Sequence, residues 1–285
     1  KAHGISTIHY VSPAIWMWRR KRIAKIKRAV DRILTVFPFE APIYERAGVD
    51  VTFVGHPLTD MLESVPARAA AREQLKLPIA DPVVALLPGS RQSELEYMAD
   101  LFIQTAQRIS ARSPRAVFLV PLVSRETRSM FEDALYRNAA SGLPLTIVFG
   151  HAHEVLAASN VALVASGTAT LEAALLGCPM VITYKMPATS YWILRAKKRY
   201  LPYYGLPNIL AGEFVVPEIL QQDATSVNLS QAMLNLLDDE PIRIRLGRKF
   251  SAIGASLRSG AARQAAEAVL AVLQKRRVAG NDLRD

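Results

Sequence analysis

Short apolar runs alternate with longer mixed stretches along this chain, and their order predicts a parallel sheet flanked by helices. Val83 to Leu87, Ala116 to Val120, Leu145 to Phe149 and Val161 to Ala165 are brief and almost wholly apolar. All four read as strands, and Val83 to Leu87 and Val161 to Ala165 have the pattern of strands buried in a parallel sheet. Glu94 to Ser110 and Arg125 to Ala140 lie between them and read as helices. His151 to Ala158 reads as a loop and short helix. A fifth strand, Val181 to Tyr184, follows a helix at Thr170 to Leu176 that Gly177 and Pro179 close.

Upstream, strands are expected at Ile5 to Val11, Arg32 to Phe37 and Val49 to Val54. A short helix starts at Pro38-Phe39-Glu40 and ends at Gly48. Another, rich in alanine and arginine, is expected over Pro66 to Leu77. Downstream, Leu206-Pro207-Asn208 reads as a constrained loop able to aim an amide side chain. Val215 to Gln221 reads as the start of a helix, with Pro217 in its first turn. Ser226 to Leu237 and Ala261 to Arg276 read as helices. The expected class is α/β with doubly wound, Rossmann-like parallel sheets. The expected domains are 1–57, 58–255 and a C-terminal helix at 256–285. The chain opens at Lys1 and meets a strand almost at once. The first domain is therefore expected to be incomplete, from an N-terminal truncation.

Composition narrows the class. The chain has 285 residues, 51% hydrophobic and 21% charged, which suits one large or two ordinary globular domains. Its single cysteine, Cys178, excludes an internal disulfide and a Cys-rich zinc site. The longest uncharged run, Val155 to Leu171, contains Ser159, Asn160, Ser166, Gly167, Thr168 and Thr170, so it does not read as a membrane span.

A formal net charge of +10 favours anionic partners: phosphorylated substrates, anionic lipid surfaces or nucleic acid. Part of it is local. Arg19 to Arg32 holds eight basic residues and one acid, with Ile23, Ile26, Val30 and Ile33 at helical spacing. This is either a solvated helix face or, with Trp16 and Trp18 beside Arg19, Arg20 and Arg22, a surface for lipid head groups or a phosphorylated acceptor. Arg195, Lys198 and Arg199 sit among aromatics in a second such cluster.

Two turns offer anion chemistry. Ser166-Gly167-Thr168 separates a buried strand from a helix, where free amides and hydroxyls favour an anion. Glu172 follows Thr168 by four residues, about one turn along the same face, and a carboxylate there suits ribose hydroxyls. The alternative is an ordinary β-turn-α corner with a solvated glutamate. Gly89-Ser90-Arg91 is a second cradle, to which Arg91 can add a bidentate phosphate contact. His151 and His153 have no third partner at metal-ligand spacing, and line a loop. No G-x-S-x-G elbow, Walker A loop or G-x-G-x-x-G fingerprint occurs.

Several segments together resemble the lipid-A-disaccharide synthases. They are HYVSPAIWMWRRKR (His9 to Arg22), FPFE (Phe37 to Glu40), VGHPLTD (Val54 to Asp60), LLPGSRQSEL (Leu86 to Leu95), VPLV (Val120 to Val123), ASGTATLEAALLGCPMVITYKM (Ala165 to Met186), LPNILAG (Leu206 to Gly212) and VPEILQ (Val216 to Gln221). They span essentially the whole chain in order. PGSR is shared with other nucleotide-sugar transferases, whereas SPxxWxWR with LPN and LAG is more specific. The resemblance implies a GT-B architecture and a metal-free, cofactor-free, inverting transfer. In it, 2,3-diacylglucosamine passes from UDP-2,3-diacylglucosamine to 2,3-diacylglucosamine 1-phosphate (lipid X), giving lipid A disaccharide 1-phosphate and UDP.

It further implies a Gram-negative cytoplasmic enzyme, peripheral to the inner membrane and its anionic phospholipids, with a homo-oligomer as a further expectation. UDP would be held by Ser90, Arg91, Ser166, Gly167, Thr168, Glu172 and Asn208, with Glu218 and Gln221 near the sugar or diphosphate. The family's general base would lie upstream of Lys1, so this chain alone is expected to be inactive. The competing readings are another UDP-GlcNAc-dependent GT-B enzyme, a peptidoglycan glycosyltransferase or an epimerase, and a basic nucleic-acid-binding protein; no nucleic-acid-binding motif is present.

Overall fold

A computed structural model describes residues 5–15, 22–187 and 202–281. The chain divides into two compact units. One takes Lys1–Glu63, Ala196–Pro202 and Gly254–Asp285; the other takes Ser64–Arg195 and Tyr203–Ile253.

The first unit is built on a three-stranded parallel sheet. Its described elements are β1 (Ile8–Tyr10), α1 (Arg22–Ala29), β2 (Arg32–Thr35), α2 (Ala41–Glu45), β3 (Val51–Phe53) and α3 (Leu58–Met61). The strand order is β1-β2-β3. Alternate side chains of the central strand serve opposite faces. Ile33 packs with Ile15, Tyr44 and Val49, against which Ile23 and Ile26 of α1 are partly buried. Leu34 packs the other way, with Val54 and Ala268. The helix α1 is thus amphipathic through Ile23 and Ile26, but it ends at Ala29, so Val30 falls beyond it and Ile33, expected on the same apolar stripe, lies in β2. Two of the region's cations are used at home. Lys27 Nζ donates to the Ala47 carbonyl (3.0 Å), and Arg32 pairs with Asp50 (2.8 Å).

The second unit contains α4 (Arg68–Gln74), β4 (Val83–Leu87), α5 (Gln92–Arg112), β5 (Val117–Leu122), α6 (Arg125–Arg137) and β6 (Leu145–Phe149). It continues with α7 (Ala152–Ala158), β7 (Val161–Ala165), α8 (Ala169–Leu175), β8 (Met180–Tyr184), α9 (Leu206–Ala211), β9 (Glu218–Leu220) and α10 (Ser226–Asp238). The six strands are all parallel, in the order β6-β5-β4-β7-β8-β9. All five residues of β4 and of β7 are buried, as their unbroken apolar runs require. Helices α5, α6 and α10 pack together as one layer, and α4, α7, α8 and α9 as another. Helix α11 (Glu240–Leu257) then leads to α12 (Ala261–Asn281), whose Ala265, Ala268 and Val269 join the Leu34 cluster of the first unit.

Buried Arg72 staples the start of β4 to the end of α7. Its Nε donates to the Ala158 carbonyl (3.0 Å) and its Nη2 to Asn160 Oδ1 (2.7 Å), and that same oxygen accepts from Val83 N (2.8 Å).

Three local expectations are corrected. Leu206-Pro207-Asn208 is the first turn of α9, not a loop: proline suits a position whose N–H has no helical partner, and Gly212, at φ 70°, closes the helix. Glu218–Leu220 is an edge strand, not a helix. Pro217 precedes it and offers only its carbonyl, which accepts from Ile182 N (2.9 Å), while β8 takes the next residues into the sheet. The strand expected to stop at Val120 runs on through Pro121 to Leu122. The register with β4 has ended by Leu119, so the missing proline N–H costs no ladder bond on that side. Helix α11 lay outside the expected elements.

Candidate functional site

Counted within the second unit, the strand order is 3-2-1-4-5-6. The chain leaves β4 and β7 toward opposite sides of the sheet, so their C-terminal ends part at a crevice. A cleft of about 420 Å³ lies there. Gly89, Ser90 and Arg91 line it from the turn after β4, and Ser166, Gly167, Thr168 and Ala169 from the turn after β7. Glu94, Glu172, Pro121, Val123 and Ala152 are also in its wall. Both anion turns of the sequence therefore meet in one place, with Glu172 beside them.

The turns differ in what their amides do. The Glu94 carboxylate accepts from Ser90 N (2.8 Å) and Arg91 N (3.2 Å), and from Arg91 Nη1 (3.3 Å). This is the N3 carboxylate of a capping box, and it occupies the cradle. Gly89, at φ 128°, makes room for it: a Cβ there would lie 2.6 Å from Glu94 Cβ. At the other turn, Ser166 N donates to Thr183 O (2.9 Å). The amides of Gly167, Thr168 and Ala169 meet no acceptor among the described residues.

Glu172 is partly buried and has a partner that periodicity did not reveal. Its Oε2 lies 3.2 Å from His153 Nε2. His151 pairs with Glu154 in turn (3.4 Å). Burial raises the Glu154 carboxyl, but its own backbone amide and both imidazoles outweigh that and hold its pKa below the ordinary value. The two histidines thus start α7 and face carboxylates. Tyr184 also stands near the cleft without having been singled out. Burial first, then the Glu94 charge, raises its phenol pKa, with Arg91 opposing.

Three expected site residues lie elsewhere. Asn208 is fully buried. Its oxygen accepts from Val215 N (2.7 Å) and Val216 N (2.9 Å), and its nitrogen donates to Val216 O (2.9 Å) and Glu218 (2.8 Å). Glu218 caps α9 by accepting from Tyr204 N (3.0 Å) and Gly205 N (2.8 Å). With its amide oriented to match them, Gln221 donates to the Met186 carbonyl and accepts from the Met186 N–H (3.3 Å each). Asn208 and Glu218 brace α9 and β9, Gln221 meets the chain just after β8, and none of the three lines the cleft. Arg22 is exposed at the start of α1. Trp16, Trp18, Arg19, Arg20, Arg195, Lys198 and Arg199 lie outside the described residues.

The family model for lipid-A-disaccharide synthetase matches residues 1–272. The chain belongs to the lipid-A-disaccharide synthetase family. Among its curated relatives, a lipid-A-disaccharide synthase of Methylobacillus flagellatus is 53% identical over 274 residues, which covers 96% of this chain and 72% of the relative. One of Dechloromonas aromatica is 51% identical at the same coverage. This family member is accordingly a glycosyltransferase of lipid A biosynthesis. Solved structures agree with the α/β, GT-B type of fold. The UDP-GlcNAc 2-epimerase of Neisseria meningitidis, bound to UDP-GlcNAc, aligns with a TM-score of 0.57 at 15% identity, over 85% of this chain and 62% of that one. The Anabaena protein HepE, in complex with UDP and glucose, aligns at 0.54 and 14% identity, over 93% and 71%. At such identities these two speak for the fold alone. No described helix is long and apolar enough to cross a membrane.

Proposed function

We propose that the second unit of this lipid-A-disaccharide synthetase family member binds UDP-2,3-diacylglucosamine and stabilises UDP as it leaves. The acceptor is 2,3-diacylglucosamine 1-phosphate. One observation carries this reading. The open amides of Gly167, Thr168 and Ala169 share a switch-point cleft with the Glu172 carboxylate, one helical turn on. Inverting transfer forms a bond from the acceptor oxygen to the anomeric carbon as the bond to the diphosphate oxygen breaks, and a general base takes the acceptor's hydroxyl proton. The electron pair and its negative charge then pass to UDP. Amides fixed before the reaction stabilise that charge without reorganising. Thr168 and Ser166 add hydroxyls, and Arg91, whose side chain is 78% exposed, can reach over the phosphates. Glu172 accepts from the ribose hydroxyls. Asn208 and Glu218 brace α9, which packs against α8 outside the cleft. The exposed basic face of α1, with Arg22 at its start, contacts anionic lipid or the acceptor phosphate.

Calorimetric titration of the chain with UDP, UMP and uridine tests the reading. UDP should bind about tenfold or more tightly than UMP, since the amides address the second phosphate. Equal affinities, or no binding of UDP, would overturn it.

A further inference from the structure

We propose that His153 is a positioning residue of the nucleotide site. It holds the Glu172 carboxylate by one oxygen and leaves the other for ribose hydroxyls. The inference rests on the ribose reading of Glu172 given above.

Several observations support it. His153 Nε2 lies 3.2 Å from Glu172 Oε2, and both side chains are largely sheltered, at 31% and 19% exposure. Among the described residues Glu172 Oε1 meets no donor. The imidazole reaches across from a neighbouring helix, since α7 packs against α8. Its placement is built into the backbone. Gly150 at φ 71° and His151 at φ 55° make a left-handed corner directly before α7. Such a conformation is uncommon for a residue with a side chain. Here the His151–Glu154 pair closes over it. The corner turns the first residue of α7, Ala152, into the cleft wall and sets the next, His153, against Glu172.

The physical need is plain. A glutamate has three side-chain torsions, and fixing them on ligand binding costs conformational entropy. A carboxylate already held at one oxygen presents the other with much of that cost met in the free protein. His153 touches no ligand in this reading and acts only through Glu172.

Calorimetry with UDP and its 2′-deoxy and 3′-deoxy analogues isolates the ribose contact. The wild-type chain should prefer UDP over the deoxy analogues by about tenfold. Glu172→Ala should erase that preference. His153→Gln keeps an amide N–H near the place of Nε2 and should preserve it. His153→Asn is polar but too short to reach Oε2, and should cut the preference to about twofold. His153→Ala should do the same, with cooperative thermal melting as the check that each variant folds. A preference kept by Asn and Ala, or lost equally in Gln and Asn, would overturn the positioning role. An unchanged preference in Glu172→Ala would remove the ribose contact and this inference with it. Failure of the wild-type chain to bind UDP would instead strike the proposed function itself.

Discussion

The turns after β4 and β7 look alike in sequence and behave differently in space. Each joins a fully buried strand to a helix through glycine and serine, and the two strands are neighbours in the sheet. Yet the amides after β4 are filled by Glu94, while those after β7 are open. The difference sits at the third helical residue. In α5 that position is Glu94, which folds back on its own turn; in α8 it is Leu171, buried in the core. A carboxylate at N3 closes a cradle from within. An apolar residue there leaves the amides to a ligand. A glycine-serine turn before a helix is therefore half of an anion-site signature, and the N3 residue is the other half.

The largest break in the comparison should come from the two glycines. Gly89→Ala puts a Cβ at φ 128° against Glu94, so both the backbone and the closed cap must shift. A loss of about 3 kcal/mol in unfolding free energy is expected by urea titration. At Gly167 a Cβ would meet nothing within 4 Å, and no positive φ is required. Gly167→Ala should stay within about 0.5 kcal/mol of the parent. Comparable losses at both sites would mean the turns are equally constrained.

Next in size is Glu172→Ala. It should weaken UDP binding by about tenfold, a charge-assisted contact, with little change in melting because the side chain is only partly buried. Unchanged affinity would make the open turn an ordinary corner with a solvated glutamate.

The contrast also shows what the sequence makes legible. β4 and β7 are readable to the residue because an unbroken apolar run of five has only one place in a doubly wound sheet; β6, broken by Thr146, is a half-exposed edge strand. The cleft follows, since both turns stand at strand ends that the topology brings together. Long-range polar partners are not legible. His153 meets Glu172 across two helices, and Asn160 meets Arg72 from 88 residues away; neither spacing has a period. Asn208, Glu218 and Gln221 carry the chemistry of a binding site, but the fold uses that chemistry on backbone groups, those around α9 and β9 for Asn208 and Glu218 and those of Met186 for Gln221. Residue type signals capacity for a hydrogen bond, and only the fold decides whether the partner is a ligand or the chain. Glu94 was readable in principle: it stands three residues after Arg91, at the spacing of a capping box.

The smallest effect is the most direct test of the closed cradle. Glu94→Gln keeps an oxygen that can accept from both amides, which share Oε2, but removes the charge and sets an NH2 against Arg91 Nη1. A charged cap bonded to two amides is stronger than a neutral one, so a loss of about 1 kcal/mol in stability is expected. UDP affinity should move the other way. Glu94 lines the same cleft as the open amides, and removing a negative charge there favours a diphosphate by about threefold. The Tyr184 phenol supplies an independent readout. The Glu94 charge is the second cause of its raised pKa, after burial, so the variant should titrate at lower pH while remaining above an exposed tyrosine. Absorbance near the phenolate band follows that shift directly. A fall in UDP affinity, with the phenol shifted as expected, would mean that the diphosphate needs the geometry Glu94 imposes on Ser90 and Arg91, and the closed turn would then belong to the site as fully as the open one.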